Sequence, residues 1–510
     1  MAILTFNNFR GLNLAEDAWK QNFGKYVLGV DVIGMHNNND TDGLPGVLQG
    51  LRVMSADGEA ASTNDITDLC CRFSYNSDVS DNEWALGNGL RVYERLTGGW
   101  TKRYAGAGVD FVAARNTTNG GGLLSFQDSL WVATNGDVNR ITAPTGGLTA
   151  PYNDGTNDAN FSSFTSSSRP CLEFEEKAYF GNNNFISSLS GDATPIWTQK
   201  ALTLDDEWTI ESMAIYNGRI YIAAQNDSYT RIFSWDGSSL FPVSTFNVFG
   251  EPRGVELIYF DGRLWAIGVA PSSNNTQFSN IYIFDGASFS KFLELPIGIQ
   301  PGRDTATIYN GNLVIGSTES SNIASYGEGV AGVWMIGKKA PGQPYEPVLA
   351  YNPSNGVTET IVGGVFATNT NGLVIGTRNT NSDPDAYEIW SLDATNQQTA
   401  GIWSSNPIDA GLPDKPKMWH GIQLNTELDQ ETYNSNRTIT ISYKVDQASS
   451  FTTLTTVRGE DSGTYPDPNR YIPIGVTGRN IEIRIQINTS GSVTTTQLRG
   501  FSLEYSEATR

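Results

Sequence analysis

Apolar and polar residues alternate most regularly near the end of the chain. Over 437–445, Ile439, Ile441, Tyr443 and Val445 point one way from an extended segment, and Thr438, Thr440, Ser442 and Lys444 point the other. The run 480–487 does the same with Ile481, Ile483, Ile485 and Ile487, and 500–505 (Gly-Phe-Ser-Leu-Glu-Tyr) is a closing strand of the same kind. Full burial of each Ile contributes about 1.5–3 kcal/mol, and a one-residue slip would turn all four Ile of a strand to solvent. That fixes the register and predicts an antiparallel β-sandwich over 401–510.

The middle of the chain repeats a different unit. Residues 213–222 read Met-Ala-Ile-Tyr-Asn-Gly-Arg-Ile-Tyr-Ile, a strand, an Asn-Gly hairpin turn and a second strand. Asn217-Gly218 recurs as Asp261-Gly262 and Asn310-Gly311 between similar apolar runs, and Asp236-Gly237 and Asp285-Gly286 mark a second hairpin downstream of the first two. Two hairpins make four antiparallel strands per unit. With weaker copies on both sides, the anchors Trp84, Leu130, Ala178, Ile220, Leu264, Leu313 and Leu373 are spaced by 46, 48, 42, 44, 49 and 60 residues. Four-stranded units at this period are propeller blades, because one blade cannot cover both faces of its own sheet. One helix is legible before them, capped by Asn13, with Glu16 completing a capping box and Gly24 ending it. The predicted fold is all-β: an N-terminal arm with a short helix (1–26), a β-propeller of about seven four-stranded blades (27–400), and the C-terminal β-sandwich (401–510). Pro407, Gly411, Pro413 and Pro416 cluster at the last boundary.

Composition agrees with many short strands and tight turns. The 510 residues include 53 Gly, aromatics make up 11%, and only 17% are charged, unlike a disordered chain. With 54 acidic against 33 basic residues the net charge is −21, which disfavours phosphate backbones and anionic membrane surfaces. Specific nucleic-acid binding is therefore not expected, although the same charge would let DNA slide past without sticking. No apolar run reaches the length of a membrane-spanning helix, and the N-terminus lacks a signal-peptide pattern.

Chemistry-bearing motifs are few. Three cysteines, Cys70, Cys71 and Cys171, cannot make a disulfide framework, and His36 and His420 offer no metal pair. The segment 38–43 places oxygen side chains, Asp40 and Asp42 among them, as in the front half of a calcium loop. Gln49 nevertheless stands where a bidentate carboxylate is needed, so a polar turn is expected. The clusters Asp205-Asp206-Glu207 and Glu173, Glu175, Glu176 raise glycoside hydrolysis by paired carboxylates, but solvated loops are the plainer reading. Recurrent aromatics (Tyr221, Trp265, Trp334, Trp390) point to packing between blades. No catalytic, cofactor-binding or metal-ligating residue is predicted.

The two ends carry a resemblance. Residues 6–13, Phe-Asn-Asn-Phe-Arg-Gly-Leu-Asn, resemble the N-terminal arm of virion structural proteins of tailed bacteriophages. The stretch from Gly401-Ile-Trp403 through Ile408-Asp409 to Lys417-Met-Trp419 is similar to their lead-in to a C-terminal sandwich, and 443–446, 479–484 and 500–505 match pieces of it. The resemblance implies a tail, neck or tail-tip component of the virion that works by protein–protein assembly as a homo-oligomeric ring, sixfold by analogy, with other tail or neck proteins as partners. Phe6, Phe9 and Arg10 are then the residues expected to dock the arm on a neighbour. The rivals are a glycan- or receptor-binding adhesin using the sandwich, and a propeller glycosidase.

Overall fold

The computed structural model describes residues 1–6, 26–30, 32–33, 48–50, 52–56, 70–77, 79–87, 91–96, 99–104, 121–133, 138–142, 148–149, 169–191, 196–250, 252–270, 278–295, 305–317, 332–338, 345–351, 360–368, 372–379, 386–397, 400–405, 407–426, 438–446, 448–458, 471–488 and 497–508. Among these the regular elements are β-strands. The helix expected over 13–24 lies outside the described residues.

Seven four-stranded antiparallel meanders follow one another, over 70–104, 122–149, 171–203, 209–247, 253–295, 306–351 and 360–397; the last takes its fourth strand, Arg52–Ala56, from the start of the chain. They are called here the first to seventh sheets. Their first strands touch in succession, and Thr360–Thr368 of the seventh lies against Cys70–Asn76 of the first. The arrangement is that of a β-propeller, with first strands innermost.

Local chemistry explains the strands. Asn217, Asp261 and Asn310 have φ of 47°, 47° and 49°, and the glycines after them have φ of 69°, 76° and 71°. Positive φ at both central positions is the type I′ hairpin, whose twist matches that of the strands it joins. Second strands such as Arg219–Gln225 are buried almost throughout and do not alternate. Each is covered on both faces by neighbouring sheets, so no face is left for water. One core joins Tyr221, Ala223 and Ile232 of the fourth sheet to Leu257, Leu264 and Tyr282 of the fifth. Another joins Trp265 and Ile267 to Leu313, Ile315 and Ile336 of the sixth.

Bulges in the innermost strands hold the sheets together in a way the hydrophobic pattern does not announce. Register shifts occur between Cys70 and Arg72, Ile210 and Ser212, Arg253 and Glu256, and Val362 and Val365. An extra residue increases twist and re-aims the side chain that follows. Arg72 Nε donates to the Gly121 carbonyl, just before the second sheet, at 3.2 Å. Ser212 Oγ accepts from the Leu257 amide of the fifth at 2.9 Å. The buried Glu256 carboxylate accepts from the Thr305 amide (3.2 Å), the Thr305 hydroxyl (2.5 Å) and the Ala306 amide (3.0 Å) at the start of the sixth.

Two larger sheets contain both ends of the chain. A five-stranded sheet runs in the order Tyr26–Val30, Ala400–Ser405, Ile481–Asn488, Thr438–Val445, Thr452–Arg458. A six-stranded sheet runs Val32–Ile33, Leu48–Gly50, Gln497–Glu507, Lys417–Thr426, Tyr471–Gly478, with Ala2–Phe6 also paired to Gln497–Glu507. Ile439 faces Ile487 and Ile441 faces Ile485 across neighbouring strands, all four buried as the alternation requires. They share one core with Trp419, Ile422, Phe501 and Leu503 of the other sheet. The expected boundaries therefore shift. Segments 2–6, 26–30 and 48–50 pair with the C-terminal strands, Val32–Ile33 pairs with Leu48–Gly50, and Arg52–Ala56 completes the seventh sheet. The reason is that strands of two to five residues carry too little pattern to announce which distant partner they join.

Candidate functional site

The arm residues separate on inspection. Phe6 is half-buried as the last residue of Ala2–Phe6, opposite Phe501, with ring centroids 4.7 Å apart and planes 18° apart. It packs against the chain's own core, because an apolar ring beside an apolar strand of the same molecule is buried locally first. Phe9 and Arg10 lie outside the described residues, as do His36 and the segment around Asp40 and Asp42.

The acidic clusters are not brought together. Glu175 and Glu176 form the turn between the first two strands of the third sheet, while Asp205, Asp206 and Glu207 lie in the connection to the fourth. These are opposite ends of the sheet, separated by strands such as Ile196–Thr203. Eight residues at about 3.3 Å each span roughly 26 Å, well beyond the ~5–9.5 Å that separates paired glycosidase carboxylates. Asp206 accepts from Asn184 Nδ2 at 3.0 Å, a local turn contact. Among the described residues no group of His, Cys, Asp and Glu could hold a metal, and no helix is long and apolar enough to cross a membrane. Cys70 is buried, Cys171 Sγ donates to the Leu123 carbonyl at 3.3 Å, and His420 Nε2 lies 2.8 Å from Ser506 Oγ. Tyr221, Trp265 and Trp334 are buried in cores shared between sheets, and Trp390 is half-buried with Nε1 donating to Glu388 at 3.0 Å.

What the fold does assemble is a surface. In a meander, the turn between strands one and two and the turn between strands three and four emerge at the same end. Packing the innermost strands around an axis puts these turns on one face of the disc. Ten large apolar side chains of the seven sheets and their connections are exposed among the described residues, and eight of them lie at this turn face. Tyr75, Ile215, Tyr259 and Ile308 end innermost strands. Leu240, Phe241 and Val243 line the third-to-fourth-strand loop of the fourth sheet, and Ile196 follows the equivalent loop of the third. Leu240 and Phe241 are 74% and 73% exposed. Only Phe249, at the opposite end, and Phe292, on an outer strand, depart from this segregation.

No protein-family model matches the chain, and no curated protein matches it in sequence. Solved structures align with about two thirds of it. YCF48 from Cyanidioschyzon merolae is 10% identical over 66% of this chain and 98% of its own, with a TM-score of 0.41. The Dos1 propeller is 12% identical over 64% and 78%, with a TM-score of 0.39. An exo-β-1,3-galactanase from Phanerochaete chrysosporium is 9% identical over 67% and 96%, with a TM-score of 0.29. Likeness at this level transfers no residue role.

Polar groups stabilise the turn face. Asp261 accepts from Lys338 Nζ at 2.5 Å and from the Tyr345 hydroxyl, linking the fifth and sixth sheets. Those two bonds, Lys338 first, hold its carboxyl below the usual range. Lys338 also sits 4.3 Å from the Tyr345 ring centroid, and that ring packs edge-on to Trp265 at 5.0 Å. Tyr179 donates to the Gly237 carbonyl at 3.1 Å, and burial pushes its hydroxyl up to about 12. At the opposite end of the third sheet, burial lowers the Arg169 guanidinium to about 10 against the opposing pull of Glu211. Reading strands singly missed the turn-face residues, although a signal was present. Ile215-Tyr216, Tyr259-Phe260 and Ile308-Tyr309 each place two successive apolar residues before the hairpin turn. A strand points successive side chains to opposite sides, so one of each pair had to face outward.

Proposed function

We propose that this chain is a structural component of a tailed-bacteriophage virion, tail-associated and acting by protein–protein assembly instead of catalysis. In this reading the seven four-stranded sheets are blades of one closed propeller, and the two larger sheets pack face to face as a sandwich. The observation that carries it joins the two ends of the resemblance. Phe6, which opens the phage-like N-terminal motif, pairs in register with Phe501 of the phage-like C-terminal motif, 495 positions later in the chain. Motifs that meet in one sheet behave as a single structural signature. The segregated apolar turn face supports the same reading, since exposed apolar surface of this kind marks protein interaction sites.

Closure leaves only short, protected strand edges, which suits a protein that accumulates in many copies before assembly. The copies form a ring, sixfold by analogy, with other tail or neck proteins bound to it, and the site of function is the virion. The net charge of −21 lets DNA pass without specific binding. The test is mass spectrometry and electron microscopy of purified virions. The protein is expected as a stoichiometric ring of the tail, and its absence from intact particles overturns the proposal.

A further inference from the structure

We infer that the two larger sheets clasp a seam in the propeller, so that loosening them parts the third and fourth strands of the seventh sheet. In the other six sheets the four strands are successive in the chain, whereas the seventh pairs Ala386–Gln397 with Arg52–Ala56 from the start of the chain. The pairing is short. Trp390 pairs with Ala56, Ser391 with Ser55 and Leu392 with Met54, and after a register shift Gln397 pairs with Arg52. Left to themselves, these strands are the ends of a loop of hundreds of residues. Closing such a loop costs entropy that a few backbone pairs offset poorly.

Both seam strands run on into the larger sheets. One residue, Leu51, separates Arg52 from Leu48–Gly50 of the six-stranded sheet, where Leu48 pairs with Leu498 and Gln49 with Gln497. Two residues separate Gln397 from Ala400–Ser405 of the five-stranded sheet, where Ile402 pairs with Gln486 and Trp403 with Ile485. The seam therefore forks, and one strand enters each sheet. Contacts beyond the fork hold it shut. The Trp403 ring meets the Phe501 ring of the other sheet edge-on, with centroids 5.9 Å apart. Ser405 Oγ accepts from the Ile483 amide at 2.9 Å, and Ser404 Oγ accepts from Arg484 Nε at 3.1 Å. Leu392, in the seam, shares one core with Trp403, Ile485 and Phe501, so no polar layer divides seam from clasp. Held in this way, the seam strands stay at high effective concentration and re-pair whenever they separate; released, they do not. Ser391 also accepts from Arg95 Nη2 of the first sheet at 3.2 Å, so the seam borders the joint between the first and seventh sheets.

The test is native-state hydrogen exchange on the full chain, read on peptides covering the seam (386–397), the clasp (481–488) and Phe278–Phe284, the third strand of the fifth sheet. In urea below the unfolding transition, seam and clasp are expected to open at the same concentration, and Phe278–Phe284 only at a higher one. A seam that opens at a different concentration from the clasp, or only together with the fifth sheet, overturns the inference. The variant Ile485→Ala leaves a cavity in the buried core beside Trp403. Exchange in the clasp and in the seam should each rise by about tenfold, while Phe278–Phe284 stays within about twofold. Unchanged exchange in the seam while the clasp speeds up overturns the inference, and so does an equal rise in the fifth sheet. The urea series on the unaltered chain decides the matter if the variant fails to fold. None of these outcomes bears on whether the protein is found in virions.

Discussion

Glu256→Ala would remove a buried carboxylate that three donors share across the joint between the fifth and sixth sheets. The Thr305 hydroxyl can turn to another acceptor, but the amides of Thr305 and Ala306 cannot, and they sit 3.2 and 3.0 Å from the carboxylate oxygens. A buried donor left unsatisfied costs about 1–3 kcal/mol, so two such amides, partly relieved by water entering the space, cost about 3 kcal/mol. That is roughly two orders of magnitude in the local opening equilibrium, since about 1.4 kcal/mol corresponds to tenfold. Native-state hydrogen exchange read on peptides covering Ala306–Tyr309 measures it directly. Ser212→Ala is the graded control: it removes one neutral acceptor of the Leu257 amide, worth about 1 kcal/mol or roughly fivefold in exchange. Glu256→Gln should fall between the two, because one accepting oxygen becomes an NH2 group that faces a donor. Exchange unchanged in Glu256→Ala, or a Ser212→Ala effect as large, refutes the idea that bulge-aimed side chains clamp the sheets.

Three further outcomes are expected. Asp261 has a depressed pKa, so its contribution is fully present above the ordinary carboxylate value of about 3.9 and is lost as pH falls through the lower folded value. Trp265 fluorescence should change on that acid limb in the native protein and stay flat there in Asp261→Asn; an identical acid limb in both rules the latch out. At Gly376 an added Cβ would meet the Cys70 carbonyl oxygen at 2.1 Å, where the seventh sheet abuts the first. Gly376→Ala should lower stability in urea by about 1–3 kcal/mol or more, and a wild-type midpoint would mean the two sheets are not held at that spacing. Glu175 and Glu176 turn with φ of 48° and 60°, where non-glycine residues are strained. Glu176→Gly should therefore raise the urea midpoint by about 0.5–1 kcal/mol equivalent, and a lowered midpoint would show that Glu176 makes contacts outweighing its backbone strain.

Different features of the chain were legible to different degrees. The turns at Asn217-Gly218, Asp261-Gly262 and Asn310-Gly311 could be placed residue by residue, because few other dipeptides take positive φ twice in succession. The alternating isoleucines of 437–445 and 480–487 gave their own register and buried face. Glu256 read only as one more acid in a strand; nothing nearby in sequence says that its partners lie at 305 and 306. Nothing around Phe6 in sequence says that its ring stacks on Phe501, almost a whole chain away.

The sequence by itself determined the repeating strand-turn-strand units, the Asn-Gly and Asp-Gly turns between their first two strands and the inward side of the C-terminal isoleucine strands, since these follow from backbone sterics and the burial of neighbouring side chains. Only the tertiary structure decided that the terminal segments complete sheets begun elsewhere, that Glu256 bridges two sheets, and that the second apolar residue before each hairpin turn gathers on one face. Those outcomes depend on pairings between residues tens to hundreds of positions apart, and a local pattern carries no record of its distant partner.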